Sequence, residues 1–214
     1  MNNYKYDFIQ YAIRKKALKF GKFILKSGRV SPYFFDISQF NSGNDLIFLG
    51  KIYVQTLIKS NIPYNMLFGL SYKGISIALS SSIILSHDYK KNISICFNRK
   101  EYKLHGEGGL IIGKPPRGKV ILMDDVITSG STINKVFNII NCSQAKLSGM
   151  IIALDRQEKD LYKKPAIKNL QNRFDFKIKS IIKLTDIILF LEQNKIVDKK
   201  IVFSIKEYKK KYGS

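Results

Sequence analysis

The sequence contains little cysteine and no long apolar run. Cys96 and Cys142 are the two cysteines of a chain of 214 residues, and both lie within apolar patterns. Two thiols are too few for a disulfide framework, so the composition favours a reducing compartment. No apolar stretch reaches the length of a membrane span, and residues 1–16 mix charged and apolar side chains, unlike a secretory signal. We therefore expect a cytoplasmic protein with no membrane partner.

Arginine is scarce, although the net charge is strongly positive. The formal charge is +21, and arginine occurs only at positions 14, 29, 99, 117, 156 and 173. Base readout in nucleic acids depends on the bidentate arginine fork, whereas the lysines here are spread over the whole chain. The composition therefore favours lysines on solvated surfaces over a nucleic-acid partner. The positive field would still attract anionic small molecules.

Short apolar strands alternate with amphipathic helices along most of the chain. The pattern predicts strands within 64–70, 93–98, 119–125 and 147–156 and helices within 44–59, 74–87 and 131–141. Ser42 or Asn44 is a plausible cap for the first of these helices. The alternation is typical of an α/β fold in which a central, mostly parallel sheet is covered by helices on both faces.

Other segments flank this alternating region. Residues 5–19 show helical spacing, and residues 22–40 contain two β-like stretches around a turn, typical of a small antiparallel sheet. A further strand at 177–184 precedes a helix that Thr185 would cap. Residues 98–118 lack clear periodicity, and a loop of that length inside one domain is usually functional.

Two adjacent carboxylates follow an apolar strand in the stretch VILMDDVITSGST, residues 120–132. In an open parallel sheet, ligands bind beyond the carboxyl ends of the strands, where Asp124 and Asp125 are expected. The turn after them leads into a helix N-terminus, whose free N–H groups and positive dipole favour a phosphate. Gly130 lets a ligand approach the backbone closely. A sugar phosphate would satisfy both parts, with its hydroxyls on the aspartates and its phosphate on the turn.

Four cationic or titratable side chains are concentrated in the 98–118 segment. They are Arg99, Lys100, Lys103 and His105, and glycines at 106, 108 and 109 follow them. Such a cluster suits the neutralisation of a departing diphosphate, and the glycines allow the backbone to move. Each of these residues alone is equally compatible with an ordinary basic surface loop, and the acid pair with a solvated helix start. The ordered combination favours a functional site.

Five segments, in order, resemble the type I phosphoribosyltransferases. VILMDDVITSGST resembles that family's signature for its phosphoribosyl donor. LKFGKFILKSGRVSPYFF at 18–35 and FNRKEYKLHGEGGLIIG at 97–113 resemble two signatures of its orotate-specific branch. GLSYKGISIA at 69–78 and ALDRQE at 153–158 extend the similarity. The resemblance covers most of the chain up to about residue 160.

The resemblance implies a reaction and an assembly. The reaction is transfer of the 5-phosphoribosyl group from 5-phosphoribosyl 1-diphosphate (PRPP) to orotate, giving orotidine 5′-monophosphate and diphosphate in de novo pyrimidine (UMP) synthesis. Magnesium would be the cofactor, held mainly by substrate oxygens and water with no direct protein ligand. A homodimer is implied, in which the 99–109 loop reaches the partner's site. Residues 1–214 would form one domain, with a base-binding hood at 1–40 and a donor-binding core at about 65–160.

The resemblance also implies roles for individual residues. Catalytic roles fall to Asp124, Asp125, Lys103 and His105. PRPP binding falls to Lys26, Tyr72, Lys73, Arg99, Lys100, Lys103, His105, Asp124, Asp125, Val126, Ile127, Thr128, Ser129, Gly130, Ser131 and Thr132. Orotate binding falls to Phe34, Phe35, Thr128 and Arg156. An aromatic face can stack on a flat pyrimidine, although plain strand core also explains the two phenylalanines, and a guanidinium suits a carboxylate.

Two other functions remain open at this point. The first keeps the same donor and uses a purine or uracil as acceptor, and Arg156 with Phe34 and Phe35 favours an acidic pyrimidine instead. The second is a regulator that keeps the fold as a ligand sensor and binds nucleic acid. The retained cations at 99–105 and the lack of a helix-turn-helix pattern make that regulator the more distant hypothesis.

Overall fold

A six-stranded sheet forms the centre of the fold. The computed structural model of the chain describes residues 3–103, 108–127, 131–160 and 164–214. The strands of this sheet are β3 (Met66–Gly69), β4 (Ser94–Lys103), β5 (Gly109–Gly113), β6 (Arg117–Val126), β7 (Gln144–Asp155) and β8 (Lys177–Lys183). Their order is β5-β4-β3-β6-β7-β8, and only the β4–β5 pairing is antiparallel among the described residues. The predicted mostly parallel sheet is confirmed.

Helices cover both faces of this sheet. They are α1 (Asn3–Arg14), α2 (Gly43–Lys59), α3 (Lys73–Tyr89), α4 (Ser131–Asn141), α5 (Ala166–Phe174), α6 (Leu184–Asn194) and α7 (Lys199–Tyr212). Successive strand residues point to opposite faces. Ile121 and Met123 therefore join a core with α1, α2, α3, α6 and α7, whereas Leu122 joins the core that packs on α4 and α5. The predicted two-sided α/β architecture is confirmed, although helices α5 and α7 were not predicted.

A separate two-stranded sheet precedes the central one. Strands β1 (Leu18–Ile24) and β2 (Val30–Phe35) pair antiparallel, as predicted. The turn between them is closed by a hydrogen bond from the Leu25 N–H to the Arg29 carbonyl, 2.9 Å long. Alternate residues of β2 are buried, so this sheet packs one face onto the core and exposes the other.

Two helix boundaries differ from the prediction. Helix α1 ends at Arg14, because Lys16 takes a left-handed backbone conformation (φ 56°), and Leu18 begins β1 instead of extending the helix to residue 19. Thr185 is not the cap of α6. Asp186 accepts a hydrogen bond from the Lys183 N–H at 2.8 Å and so closes that helix start. Ser42, one of the two predicted alternatives, does cap α2 through a reciprocal capping box with Asp45.

The 98–118 segment is not a loop over its whole length. Strand β4 continues to Lys103, and β5 pairs with it antiparallel, with Asn98 opposite Ile111 and Lys103 opposite Gly109. The two strands form a β-hairpin arm, defined here as residues 98–103 and 108–113. The side chains on both faces of β5 are partly exposed. Its sequence therefore lacks the alternation of apolar and polar residues that marks a strand with one buried face.

Helix lengths and hydropathy do not identify a membrane span. Within the described ranges, no helix is both long and apolar enough to cross a bilayer.

Candidate active site

Asp124 and Asp125 lie at the strand reversal, the point in the sheet where the order of the strands changes direction. Strands β4 and β5 lie on one side of β3, and β6 to β8 lie on the other, with Gly69 of β3 opposite Met123 of β6. A crevice forms at such a reversal, outside the carboxyl ends of the two strands. Asp125 is 5% exposed, so the pair is set into the sheet edge and is not surface decoration. This is where the sequence predicted a ligand site.

Hydrogen bonds fix the backbone around the two acids. The hydroxyl of Tyr53, fully buried on α2, donates to the Asp124 carbonyl at 2.8 Å. The Asp125 N–H donates to the Asp124 carboxylate at 2.9 Å, and the Val126 N–H donates to the Asp125 carboxylate at 2.8 Å. Burial and the adjacent charge of Asp125 raise the pKa of Asp124 well above its ordinary value. Tyr53 carried no sequence signal, because its contact joins positions 71 residues apart.

Lys73 provides the positive charge of the crevice. Its ammonium lies 3.0 Å from the Asp125 carboxylate and 3.1 Å from that of Asp36. Burial alone would lower the pKa of Lys73, but the two carboxylates outweigh it and raise that pKa. Burial opposes the shift at Asp36 too, yet hydrogen bonds from Ser38, Lys73 and Gln39 lower its pKa to about 2. Lys73 was predicted from the sequence, and Asp36 was not.

Two glycines bring the Lys73 turn, residues 70–73 between β3 and α3, close to the acids. A Cβ atom on Gly74 would lie 2.1 Å from the Met123 carbonyl oxygen, and one on Gly69 would lie 2.5 Å from the Gly74 carbonyl oxygen. The backbone at the start of α3 therefore packs directly on the end of β6, a distance that only glycine allows. Tyr72, in the same turn, is 67% exposed and does not contribute to the core.

The base of the β-hairpin arm is fastened to the same turn. The Ser71 N–H donates to the Asn98 side-chain oxygen at 3.1 Å, and the Ser71 hydroxyl donates to the Asn98 carbonyl. Arg99 and Lys103 are half-buried and Lys100 is exposed on the arm. His105 lies outside the described residues. The described cations of the arm therefore follow Asn98, the residue of β4 that contacts the turn before α3.

The segment after the acids is described only in part. Val126 ends β6, and Ile127 packs against the core that α4 and α5 cover. Thr128, Ser129 and Gly130 lie outside the described residues. Helix α4 begins at Ser131, as predicted, and Thr132 follows within it. The helix N-terminus therefore lies a few residues beyond the acid pair, in the order that the sequence indicated.

The predicted hood residues differ in their surroundings. Phe35 is buried and its ring lies 6.2 Å from that of Phe8, so it is core. Phe34 is half-buried and stacks on Phe23 at 5.5 Å. Lys26 is exposed in the turn between β1 and β2. Core packing therefore accounts for one of the two phenylalanines and leaves the ring of Phe34 partly accessible.

Arg156 follows β7 at the same edge of the sheet as the acid pair. Its Nε donates to Glu158 at 2.7 Å, and its guanidinium lies 4.3 Å from the ring centre of Tyr33. The side chain is only 13% exposed. Protein groups therefore already hold the guanidinium that the sequence predicted to pair with a carboxylate. Glu158 was missed, because nothing local distinguishes it from a surface acid.

The crevice combines carboxylates that can accept hydrogen bonds from hydroxyl groups with a positively charged side chain. Asp124 and Asp125 can accept hydrogen bonds from a polyol, Lys73 can bind a polyanion, and a helix N-terminus lies just downstream. The described residues contain no group of three or more His, Cys, Asp or Glu side chains arranged to hold a metal. The arrangement fits a sugar that carries phosphates.

Comparison with known proteins identifies full-length relatives. The chain is 46% identical over 213 residues to orotate phosphoribosyltransferase of Pseudoalteromonas translucida, covering 100% of this chain and 99% of that one. It is 42% identical over 213 residues to the orotate phosphoribosyltransferase of Serratia proteamaculans, with both chains fully covered. No family model matches the sequence.

The fold matches a solved structure over nearly its whole length. The 1.9 Å crystal structure of orotate phosphoribosyltransferase from Francisella tularensis superposes with a TM-score of 0.86 at 35% identity, covering 97% of this chain and 100% of that one. Similarity in sequence and in fold thus points to the same relatives.

Proposed function

The chain belongs to the orotate phosphoribosyltransferase family, and we propose how its own residues perform that family's reaction. The enzyme transfers the 5-phosphoribosyl group of PRPP to orotate, releasing diphosphate and giving orotidine 5′-monophosphate. The observation that carries the assignment of roles is the acid pair at the strand reversal with Lys73 beside it. The acceptor is orotate and not a purine, in agreement with the family.

Asp124 and Asp125 bind the ribose of the donor. Carboxylates accept hydrogen bonds from the ribose hydroxyls and stabilise the positive charge that develops on the ring as the diphosphate leaves. The fixed backbone around the pair, held by Tyr53 and by the N–H groups of Asp125 and Val126, supports this role, because preorganised groups need no rearrangement during reaction. The 5′-phosphate binds to the backbone amides and hydroxyls of residues 128–132, which lead into α4.

Lys73 and the β-hairpin arm bind the diphosphate. Before the reaction, the diphosphate is contacted by Lys73, Tyr72 and Lys26. As it departs, its negative charge is neutralised by Arg99, Lys100, Lys103 and His105. The pairing of Lys73 with Asp125 and Asp36 supports this role, because a donor phosphate can replace carboxylate partners at a half-exposed ammonium.

Orotate binds between the hood and the end of β7. Phe34 and Thr128 contact the ring, and Arg156 pairs with the carboxylate. Phe35, also predicted to bind orotate, packs in the core and does not reach the ring. The accessible ring of Phe34 and the position of Arg156 at the same edge as the acids support this arrangement. Residues 1–40 then act as the hood and residues 65–160 as the donor-binding core.

Magnesium is the proposed cofactor. The two crevice acids fit a cation that keeps most of its waters and takes its other oxygens from the diphosphate and ribose, because two carboxylates are too few for a protein cage. When bound, the ion offsets diphosphate charge. Asp124 and Asp125 would orient its waters while they hold the ribose hydroxyls.

A homodimer that shares the β-hairpin arm completes the proposal. Leu79 and Ile83 are 39% and 64% exposed and lie one turn apart on α3, and Tyr102 on the arm is 63% exposed. Apolar side chains exposed on neighbouring elements favour burial against a second copy. A cytoplasmic location, expected from the cysteine content, remains a prediction.

Purified protein mixed with orotate, PRPP and Mg²⁺ tests the function. We expect the ultraviolet absorbance of orotate to fall in step with diphosphate release, and an Asp125→Asn variant to show little loss of orotate. Hypoxanthine and uracil in place of orotate serve as controls. Turnover of either of these with no loss of orotate would overturn the assignment of the acceptor.

A further inference from the structure

Protein groups hold two of the three guanidinium nitrogens of Arg156. Nε donates to Glu158 at 2.7 Å, and Nη2 donates to the Ser31 hydroxyl at 3.0 Å and to the Tyr208 hydroxyl at 3.4 Å. The plane lies against the ring of Tyr33, whose centre is 4.3 Å from the guanidinium carbon. Nη1 is the remaining nitrogen, and no hydrogen-bond partner for it occurs among the described parts of the chain.

The anchors of Arg156 are themselves held in one network. Glu158 also binds Arg29 at 2.9 Å and accepts a hydrogen bond from the Tyr208 hydroxyl at 2.8 Å. The Tyr208 hydroxyl therefore donates to Glu158 and accepts from Arg156, which uses its donor and one of its acceptor positions. One carboxylate offsets one of two guanidinium charges, so the network keeps a net positive charge for an anion.

Tyr208 reaches this network from the far end of the chain. Helix α7 packs against β2, and the residues after it return to the segment that carries Arg156: the Lys159 N–H donates to the Tyr212 carbonyl at 2.9 Å, and the Ser214 N–H donates to the Gln157 carbonyl at 2.8 Å. Residues 157–159 are thus tied to the C-terminus on either side of Glu158. Helix α7 and the C-terminus lie beyond the segments that carried the sequence resemblance.

We infer that Tyr208 and Glu158 are positioning residues for orotate binding, which hold Arg156 so that it presents Nη1 to the acceptor carboxylate. The inference rests on the proposed role of Arg156 in binding orotate. Because Nε and Nη2 are already engaged, the contact with the acceptor is through one nitrogen and not through a free fork. Tyr208 does not touch the substrate; it acts by restricting the rotation of the guanidinium.

The test is the Tyr208→Phe variant, with Tyr212→Phe as the matched control on the same helix. Phenylalanine keeps the ring contacts of Tyr208 with Tyr33 and Tyr212 and removes only the hydroxyl. We expect KM for orotate to rise about five- to ten-fold, as loss of one hydrogen bond near a charged group predicts, with kcat and KM for PRPP changed less than about two-fold. Tyr212→Phe should leave all three constants and the Tm unchanged.

A double-mutant cycle separates positioning from simple stabilisation. In an Arg156→Ala background, Tyr208→Phe should have no further effect on KM for orotate, because its effect acts through the guanidinium. An equal rise of KM for both substrates, or the same rise in the Arg156→Ala background, would overturn the inference. Arg156→Lys, which keeps the charge and loses the planar anchor, replaces the alanine variant if that one does not fold.

The two proposals fail in different ways. If Arg156→Ala leaves KM for orotate unchanged, the proposed role of Arg156 is wrong, whatever Tyr208 does. If Arg156→Ala raises that KM strongly and Tyr208→Phe does not, Arg156 binds orotate without needing its anchors, and the positioning inference alone is wrong.

Discussion

The ammonium of Lys73 lies 3.0 Å from the carboxylate of Asp125, although the two residues belong to different elements. Lys73 is the first residue of α3 and Asp125 is near the end of β6. The contact exists because Gly74 lets the start of α3 touch the backbone of β6. One backbone contact therefore positions both the cation and the acid to which we assign donor and ribose binding.

Removal of the Lys73 ammonium should weaken donor binding specifically. We expect Lys73→Ala to raise KM for PRPP roughly ten- to hundred-fold, the range for losing a charge-assisted hydrogen bond, with a much smaller effect on KM for orotate. Steady-state kinetics with each substrate varied in turn measure both constants. Lys51→Ala, an exposed lysine on α2, is the control and should match the wild type. Equal effects on both substrates would argue against a diphosphate contact.

The raised pKa of Asp124 predicts a specific dependence of stability on pH. As pH rises from the ordinary aspartate range towards that raised pKa, the unfolded chain loses its proton first, so the native state binds more protons and the free energy of unfolding falls. Asp124→Asn does not titrate. Relative to wild type, that variant should therefore be more stable at pH 7.5 than at pH 4.5, while its transferase activity is strongly reduced.

Urea unfolding at those two pH values measures the difference. Asp7→Asn, which changes an exposed acid on α1, controls for the loss of one negative charge. If the difference between wild type and Asp124→Asn is the same at both pH values, burial does not raise the pKa of Asp124 in solution.

Gly74 should not tolerate a methyl group. A Cβ atom would lie 2.1 Å from the Met123 carbonyl oxygen, so Gly74→Ala must push α3 away from β6. We expect a loss of about 1–3 kcal/mol in the free energy of unfolding, typical of overpacking, together with a raised KM for PRPP because Lys73 moves with the turn. Gly43→Ala, at an open position at the start of α2, should change stability by less than about 1 kcal/mol and leave KM unchanged. Unaltered Tm and KM in Gly74→Ala would refute the close contact.

The positions of Asp124, Asp125 and Lys73 followed from the sequence because each lies near the carboxyl end of a buried strand. Apolar runs identify strands, and parallel strands place their carboxyl ends at one edge, so local patterns were enough to bring these residues together. The β-hairpin arm was missed for the opposite reason. Residues 98–103 of β4 and all of β5 are partly or fully exposed, so no alternation distinguishes these strands from a loop.

Asp36, Glu158 and Tyr208 were not predictable from local pattern. Asp36 reaches Lys73 across 37 positions, and Tyr208 reaches Arg156 across 52. Each contact is set by how separate elements pack, here the hood and α7 on the edge of the sheet. Isolated polar residues in amphipathic segments look the same whether they face solvent or an internal arginine, and only the tertiary fold separates the two.

The sharing of the arm between subunits can be decided by mixing two inactive variants. Lys103→Ala removes an arm cation, and Asp125→Asn removes a crevice acid. If the arm serves the partner's site, each heterodimer has one site with both groups intact, and an equal mixture should recover about one quarter of wild-type activity through the statistics of a symmetric dimer. Lys73→Ala mixed with Asp125→Asn is the matched control and should recover nothing, because both changes lie in the crevice of their own subunit. If mass spectrometry shows that Lys103→Ala and Asp125→Asn form heterodimers, and these remain inactive, the arm serves the site of its own chain.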